Sequence, residues 1–171
     1  MSNPDKLKRI ETVCFTGHRT IEHNISVVIP TVLKREIEAL IARGARNFRA
    51  GGAMGFDSIA ALCVLELKEK YPDLRLELKL PCKDQTRYWN DGNSLVYKYI
   101  LQKADSVEYV SESYTSTCMY ERNRRLVDGS DVCVAYLAQS RGGTSYTFGY
   151  ALGKSVEVIN IFDIINAKRP L

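Results

Sequence analysis

Arg49-Ala50-Gly51-Gly52-Ala53-Met54-Gly55-Phe56-Asp57 runs straight into the apolar helical pattern Ile59-Ala60-Ala61-Leu62-Cys63-Val64-Leu65. Three glycines within five positions, between an expected strand and an expected helix, let backbone N–H groups approach a ligand with no Cβ in the way. The stretch has the shape of a phosphate cradle. Its G-G-x-x-G spacing differs from the dinucleotide G-x-G-x-x-G, and no Lys-Ser/Thr pair follows as a Walker P-loop requires. The simpler alternative is a tight strand-to-helix turn with Asp57 as N-cap. On the cradle reading, Gly52→Val is expected to harm ligand binding more than folding.

Working outward, Thr12-Val13-Cys14-Phe15 is short, β-branched and aromatic, and stops at Gly17, as a strand buried on both faces would. Strands are expected at 11–16, 45–50, 74–80, 106–110, 131–136 and 156–161. Helices are expected at 27–43, 58–71, around 94–102, and at 118–127 and 144–152, with Gly44 closing the first of them and Pro30 near its start. Leu74, Leu76, Leu78 and Leu80 alternate with charged residues, which places the third strand toward a sheet edge. This alternation predicts an α/β fold: a doubly wound, mainly parallel sheet with helices on both faces. One domain covers 1–171, with 1–10 and 163–171 as loosely ordered tails. Ligands of such sheets sit outside the C-terminal strand ends where strand order reverses, so the segments after the first, second, fourth and fifth strands become neighbours.

The charge balance is only +4, with basic and acidic residues interspersed except at Arg122, Arg124 and Arg125, so no nucleic-acid-binding arm is indicated. Five cysteines lie scattered without a C-x-x-C pair, and His18 and His23 are the only imidazoles, so no metal site is expected. Cys14, Cys63 and Cys133 read as core residues, Cys82 and Cys118 as more accessible ones. An odd, unpaired set suits a reducing cytoplasm. The first residues carry no apolar signal region and no apolar run reaches the ~18 residues of a membrane span, so a cytoplasmic location without membrane contact is expected.

Four segments offer chemistry. Thr16, Gly17, His18 and Arg19 bring a hydroxyl, a free amide, an imidazole and a guanidinium to the end of the first strand, and Arg19 suits a bidentate phosphate clamp. On the helix after the fourth strand, Asn123 shares the stripe of Met119 and Leu126, while Arg122 sits at the stripe's edge with its stem packed and its guanidinium toward the crevice. Arg122→Ala is accordingly expected to leave melting nearly unchanged. Gly142, Gly143 and Thr144 place a second glycine pair before a helix, with a positive dipole end facing the crevice. Gln85 and Trp89 follow the third strand, where Trp89 either stacks on a nucleobase or closes the core.

Together CFTGHR (14–19), GGAMGFD (51–57), the P-x-x-x-Q-x-x-x-W spacing (81–89), YERNRRLVDGSDVCVAY (120–136) and GGT (142–144) resemble the SLOG superfamily, and within it the YpsA/YoqJ-like branch of bacterial and phage proteins. The resemblance spans nearly the whole chain. It implies a Rossmann-like domain that binds nucleotides or nucleotide-derived, ADP-ribose-like ligands, and a homodimer as the superfamily's assembly. The superfamily's LOG phosphoribohydrolases use an Arg that corresponds to Arg122 and a Glu close behind a P-G-G-x-G-T loop. Here Arg141-Gly142-Gly143-Thr144-Ser145-Tyr146-Thr147-Phe148 lacks that Glu.

The expected function is therefore binding or sensing of a small nucleotide derivative, with no cofactor required. The candidate ligand-binding residues are Thr16, Gly17, His18, Arg19, Gly51, Gly52, Gly55, Asp57, Gln85, Trp89, Arg122, Asn123, Gly142, Gly143 and Thr144. A nucleoside monophosphate N-glycosidase with Asp57 or Glu121 as its carboxylate is the alternative, and nucleic-acid binding like that of DprA, a superfamily member, is the second alternative.

Overall fold

The computed structural model describes residues 8–168. Six strands form one sheet: β1 (Thr12–Gly17), β2 (Asn47–Ala50), β3 (Arg75–Cys82), β4 (Ser106–Ser111), β5 (Val132–Tyr136) and β6 (Glu157–Asn160). Their order is β4-β3-β2-β1-β5-β6 and every pairing is parallel. The fold is an α/β, Rossmann-like one. The chain lays down β1 to β4 in one direction and then returns to the other side of β1 for β5. Strand order thus reverses between β1 and β5.

Central position explains the sequence of these two strands. In register, Cys14 faces Cys133, while Val13 and Phe15 alternate with Cys14, and Val132 and Val134 with Cys133. The large side chains join the main core under α2 (Ile29–Ala42), α3 (Phe56–Leu67) and α7 (Ile161–Ala167). The two thiols join a smaller cluster with Leu126, Val127 and Ala151 of α5 (Cys118–Val127) and α6 (Gly142–Gly153). A small side chain on one face lets α5 and α6 approach the sheet closely.

Several expectations shift. The helix predicted over 27–43 is α2, which starts two residues later after exposed Val27 and Val28, and an unpredicted short helix α1 (His23–Ser26) precedes it. Pro30 sits in the first turn of α2 and Gly44, at φ +113°, follows its C-cap. The third strand does lie toward an edge, one place in from β4, and the half-buried charged residues of its alternation serve ion pairs such as Lys79 with Glu108 at 2.6 Å. The helix α4 (Asp91–Lys103) starts earlier than expected because the Asn90 side chain accepts the Asn93 amide at 2.8 Å. Cys82 and Cys118 are buried rather than accessible, and the Cys82 thiol is pushed up to about 11, chiefly by burial.

The tails also differ. Residues 1–7 and 169–171 lie outside the described residues. Ile10 is buried and its amide donates to the Arg43 carbonyl at 3.3 Å, while 161–167 is the helix α7, held by Ile161 and Ile165 in the core. The i, i+4 spacing of those two isoleucines is what turns a short polar segment into a packed helix. Among the described residues no helix is long and apolar enough to cross a membrane, and no cluster of His, Cys, Asp or Glu is suited to a metal.

Candidate functional site

At the C-terminal ends of β1 and β5 lies a crevice of about 400 Å³. Its walls are Thr16 to Arg19 after β1, Ala53 and Asp57 after β2, Tyr114 and Ser116 after β4, the inner face of α5, and Arg141 to Thr144 at the start of α6. Four loops far apart in sequence, from Thr16 to Thr144, thus meet where the strand order reverses.

The glycine-rich loop behaves differently from an open cradle. α3 begins at Phe56, two residues earlier than expected, so its N-cap is Gly55 and Asp57 lies within its first turn. Asp57 is 4 % exposed, and its Oδ2 accepts the Ala53 amide at 3.3 Å. Arg122 Nη1 donates to the Gly51 carbonyl. A Cβ on Gly51 would lie 2.6 Å from Arg122 Nη1 and 2.8 Å from Asp57 Oδ2. The loop is therefore wrapped around the protein's own carboxylate and guanidinium.

Gly52 and Gly55 also face protein. Gly52, at φ +69°, would put a Cβ 2.4 Å from Leu80 Cδ2, on the core side. Gly55, at φ +74°, would put one 2.3 Å from the Arg19 carbonyl, because the loops after β1 and β2 touch there and the Phe56 amide donates to His18 O at 3.1 Å. Gly51, Gly52 and Gly55 do not line the crevice, contrary to the cradle reading. The expectation that Gly52→Val mainly harms binding is corrected with them: its first effect is on packing.

Arg122 is 5 % exposed and Asn123 7 %. The guanidinium is buried, not at a stripe's edge: Nε donates to Asn123 Oδ1 at 2.8 Å, and Nη2 meets the Met119 sulfur at 3.9 Å. Arg19 Nη2 reaches the same thioether at 3.8 Å, a weak acceptor for a full charge. Asn123 lines the crevice, and its Nδ2 sits close to the start of α6, 3.7 Å from where a Cβ on Gly143 would be. The helix begins at Gly142 without a side-chain cap, and the space beside Gly142 is open. Its first amides carry the positive end of the helix dipole.

Electrostatically the crevice is short of negative charge. Arg19 and Arg122 face it with Asp57 as the carboxylate on its walls. Burial pushes the Asp57 carboxyl up, while Arg122 and then the Ala53 amide pull it back, and the net shift is upward. A native value above the unfolded one means that Asp57 contributes stability below the ordinary carboxylate range and loses it as pH rises through the native value. Asp57→Asn removes that dependence. The difference in melting temperature between wild type and Asp57→Asn is expected to change in the variant's favour as pH rises through that window, and parallel curves would show an unperturbed carboxyl.

Other candidates have structural roles. His18 Nε2 accepts the amides of Ala138 at 2.9 Å and Gln139 at 3.2 Å, and burial lowers its pKa, so the ring is neutral with its proton on Nδ1. Gln85 Nε2 donates to Gly52 O at 3.4 Å, and Trp89 packs edge-on to Tyr97 at 5.6 Å. Neither is among the residues that line the crevice. Glu121 is no crevice carboxylate either, since its Oε1 binds Arg125 Nη2 at 3.0 Å. Arg125 also pairs with Glu108, so the basic cluster presents fewer free charges than its sequence suggests. Sequence reasoning missed Tyr114, Ser116, Tyr120 and Arg141 as wall residues, and treated Met119 as core alone. Only Arg141, directly before the glycine pair, carried a signal that could have found it.

Comparison with known proteins bears on this geometry. The YpsA family model, described as the YspA SLOG family, matches residues 13–164. The chain is 31 % identical over 141 residues to the uncharacterized SPbeta prophage-derived protein YoqJ of Bacillus subtilis (strain 168), covering 71 % of this chain and 82 % of that one. It is 26 % identical to a UPF0398 protein of Bacillus thuringiensis (strain Al Hakam), over 88 % and 87 % of the two chains. Among solved structures, DNA processing protein A of Streptococcus pneumoniae superposes with a TM-score of 0.60 at 13 % identity, covering 95 % of this chain but only 62 % of that one. The protein TM1055 superposes with a TM-score of 0.58 at 15 % identity, over 87 % and 72 %.

Proposed function

We propose, for a chain that belongs to the YspA SLOG family, that the crevice binds a nucleotide or nucleotide-derived ligand by its phosphate. The observation that carries this is the Asn123 side chain, which lines the crevice beside the uncapped start of α6. Its Nδ2 can donate to a phosphate or ribose oxygen placed there. The first amides of α6 offer further donors to the same anion. Arg19, whose guanidinium meets only the Met119 thioether among the described residues, can swing onto it. Isothermal titration with adenine nucleotides and ADP-ribose is expected to show binding that weakens with salt and is lost in Asn123→Asp. No heat across the panel would overturn the reading.

A second reading is favoured by Asp57, a crevice carboxylate whose pKa burial raises, as a group that exchanges protons often shows. In a nucleotide N-glycosidase it would support positive charge developing at the ribose. Release of free base from nucleoside monophosphates, abolished in Asp57→Asn, would establish it; no release at high enzyme concentration would dismiss it.

A further inference from the structure

A second cavity, of about 610 Å³, lies on the other side of the loop after β1. It is walled by α1, by the loop after β5 and by α7, and His18 and Arg19 line both cavities. The two are thus adjoining chambers with one shared partition. Their chemistry differs. The crevice offers guanidiniums, a buried amide and helix-start N–H groups, whereas the second cavity has an apolar floor of Ile25, Tyr136, Phe162 and Ile165.

That floor belongs to an aromatic cluster. Tyr136 stacks on Phe56 at 6.0 Å and 23°, meets Phe162 edge-on at 6.0 Å, and meets His18 edge-on at 6.1 Å. Around it, Gln139 and Asn166 present amide side chains, and Asn166 Nδ2 is already committed to the Phe162 carbonyl at 2.9 Å, which leaves its Oδ1 to accept. An apolar, aromatic floor with a few amide groups is the environment of a planar ring with polar edges.

We infer that the two chambers hold one ligand in two parts: a nucleobase in the cavity beside α7 and a phosphate-bearing arm in the crevice, with Arg19 at the partition between them. This rests on the reading that the crevice takes the phosphate, and adds where the base goes. His18 fits the role of a fixed partition: its two bonds to the amides of Ala138 and Gln139 hold the ring in place. Arg19 can follow the ligand's negative charge because its Met119 contact is weak.

The test separates the two chambers. Ala138 is exposed and its side chain adjoins the second cavity, so Ala138→Trp fills that cavity while the amide that binds His18 remains. Ile25→Trp fills it from α1, which guards against one variant failing to fold. Wild type and both variants, checked by thermal melting, are titrated with ADP-ribose and with ribose 5-phosphate. The expected result is that each folded variant binds ADP-ribose roughly tenfold or more weakly and ribose 5-phosphate unchanged. If ADP-ribose affinity is unchanged in folded variants, the base lies elsewhere and this inference falls while phosphate binding in the crevice stands. Equal losses for both probes would overturn it too, because the chambers would not be separable. If wild type binds neither probe, both readings fail together.

Discussion

Arg122→Ala is expected to destabilise the protein by about 2–6 kcal/mol, since two buried acceptors left without a donor cost about 1–3 kcal/mol each. Three losses combine. The Gly51 carbonyl loses its donor, Asn123 Oδ1 loses its own, and the buried Asp57 carboxylate loses the strongest of the charges that offset its burial. Arg122→Lys is expected to recover only part of this, since one ammonium cannot reach the Gly51 carbonyl and Asn123 in the planar fork that a guanidinium provides. Pairing Arg122→Met with Asp57→Asn should be less harmful than Arg122→Met alone, because the orphaned charge is then gone. Urea unfolding of wild type, Arg122→Met, Asp57→Asn and the double variant would measure the coupling. Additive losses would show that Asp57 and Arg122 do not interact, and a wild-type midpoint for Arg122→Ala would show that the guanidinium is not buried.

The same residue shows where sequence reasoning stopped. Helical spacing put Asn123 on the buried stripe of α5, and it is buried. Spacing also put Arg122 at the stripe's edge, with its stem packed and its guanidinium toward the crevice. What takes it inside is a carbonyl 71 residues earlier, exposed by a loop without side chains. Such long-range partners leave no trace in the local pattern. The strand sequence of β1 and β5, by contrast, was legible: an unbroken run of buried, β-branched and aromatic residues has few explanations other than a central parallel strand. From the two strands and the βα alternation, the meeting of four loops at one crevice followed by topology alone. The helix α7 was not legible to the same degree, since two isoleucines four residues apart make a weak stripe until α2 is there to receive them.

Gly55→Ala and Gly143→Ala are expected to have opposite effects, although both glycines stand at the start of a helix beside the crevice. Gly55 has φ +74° and no room: its Cβ would meet the Arg19 carbonyl at 2.3 Å and the His18 carbonyl at 2.6 Å. Backbone cannot yield as a side-chain tip can, so the loops after β1 and β2 would be forced apart, for a loss of about 2–4 kcal/mol from strain and overpacking together. Gly143 has neither problem. Its Cβ would sit at an ordinary 3.7 Å from Asn123 Nδ2, and alanine favours the helix over glycine by about 0.8–1 kcal/mol. Gly143→Ala should therefore melt at or slightly above the wild-type temperature. Its methyl group, however, stands between Asn123 and the first amides of α6, where the phosphate is proposed to bind, so ADP-ribose should bind roughly tenfold more weakly. Denaturant unfolding and titration of both variants read the two effects separately. A Gly55→Ala protein as stable as wild type would mean that the loops do not touch as described, and a Gly143→Ala protein with full affinity would remove the start of α6 from the site.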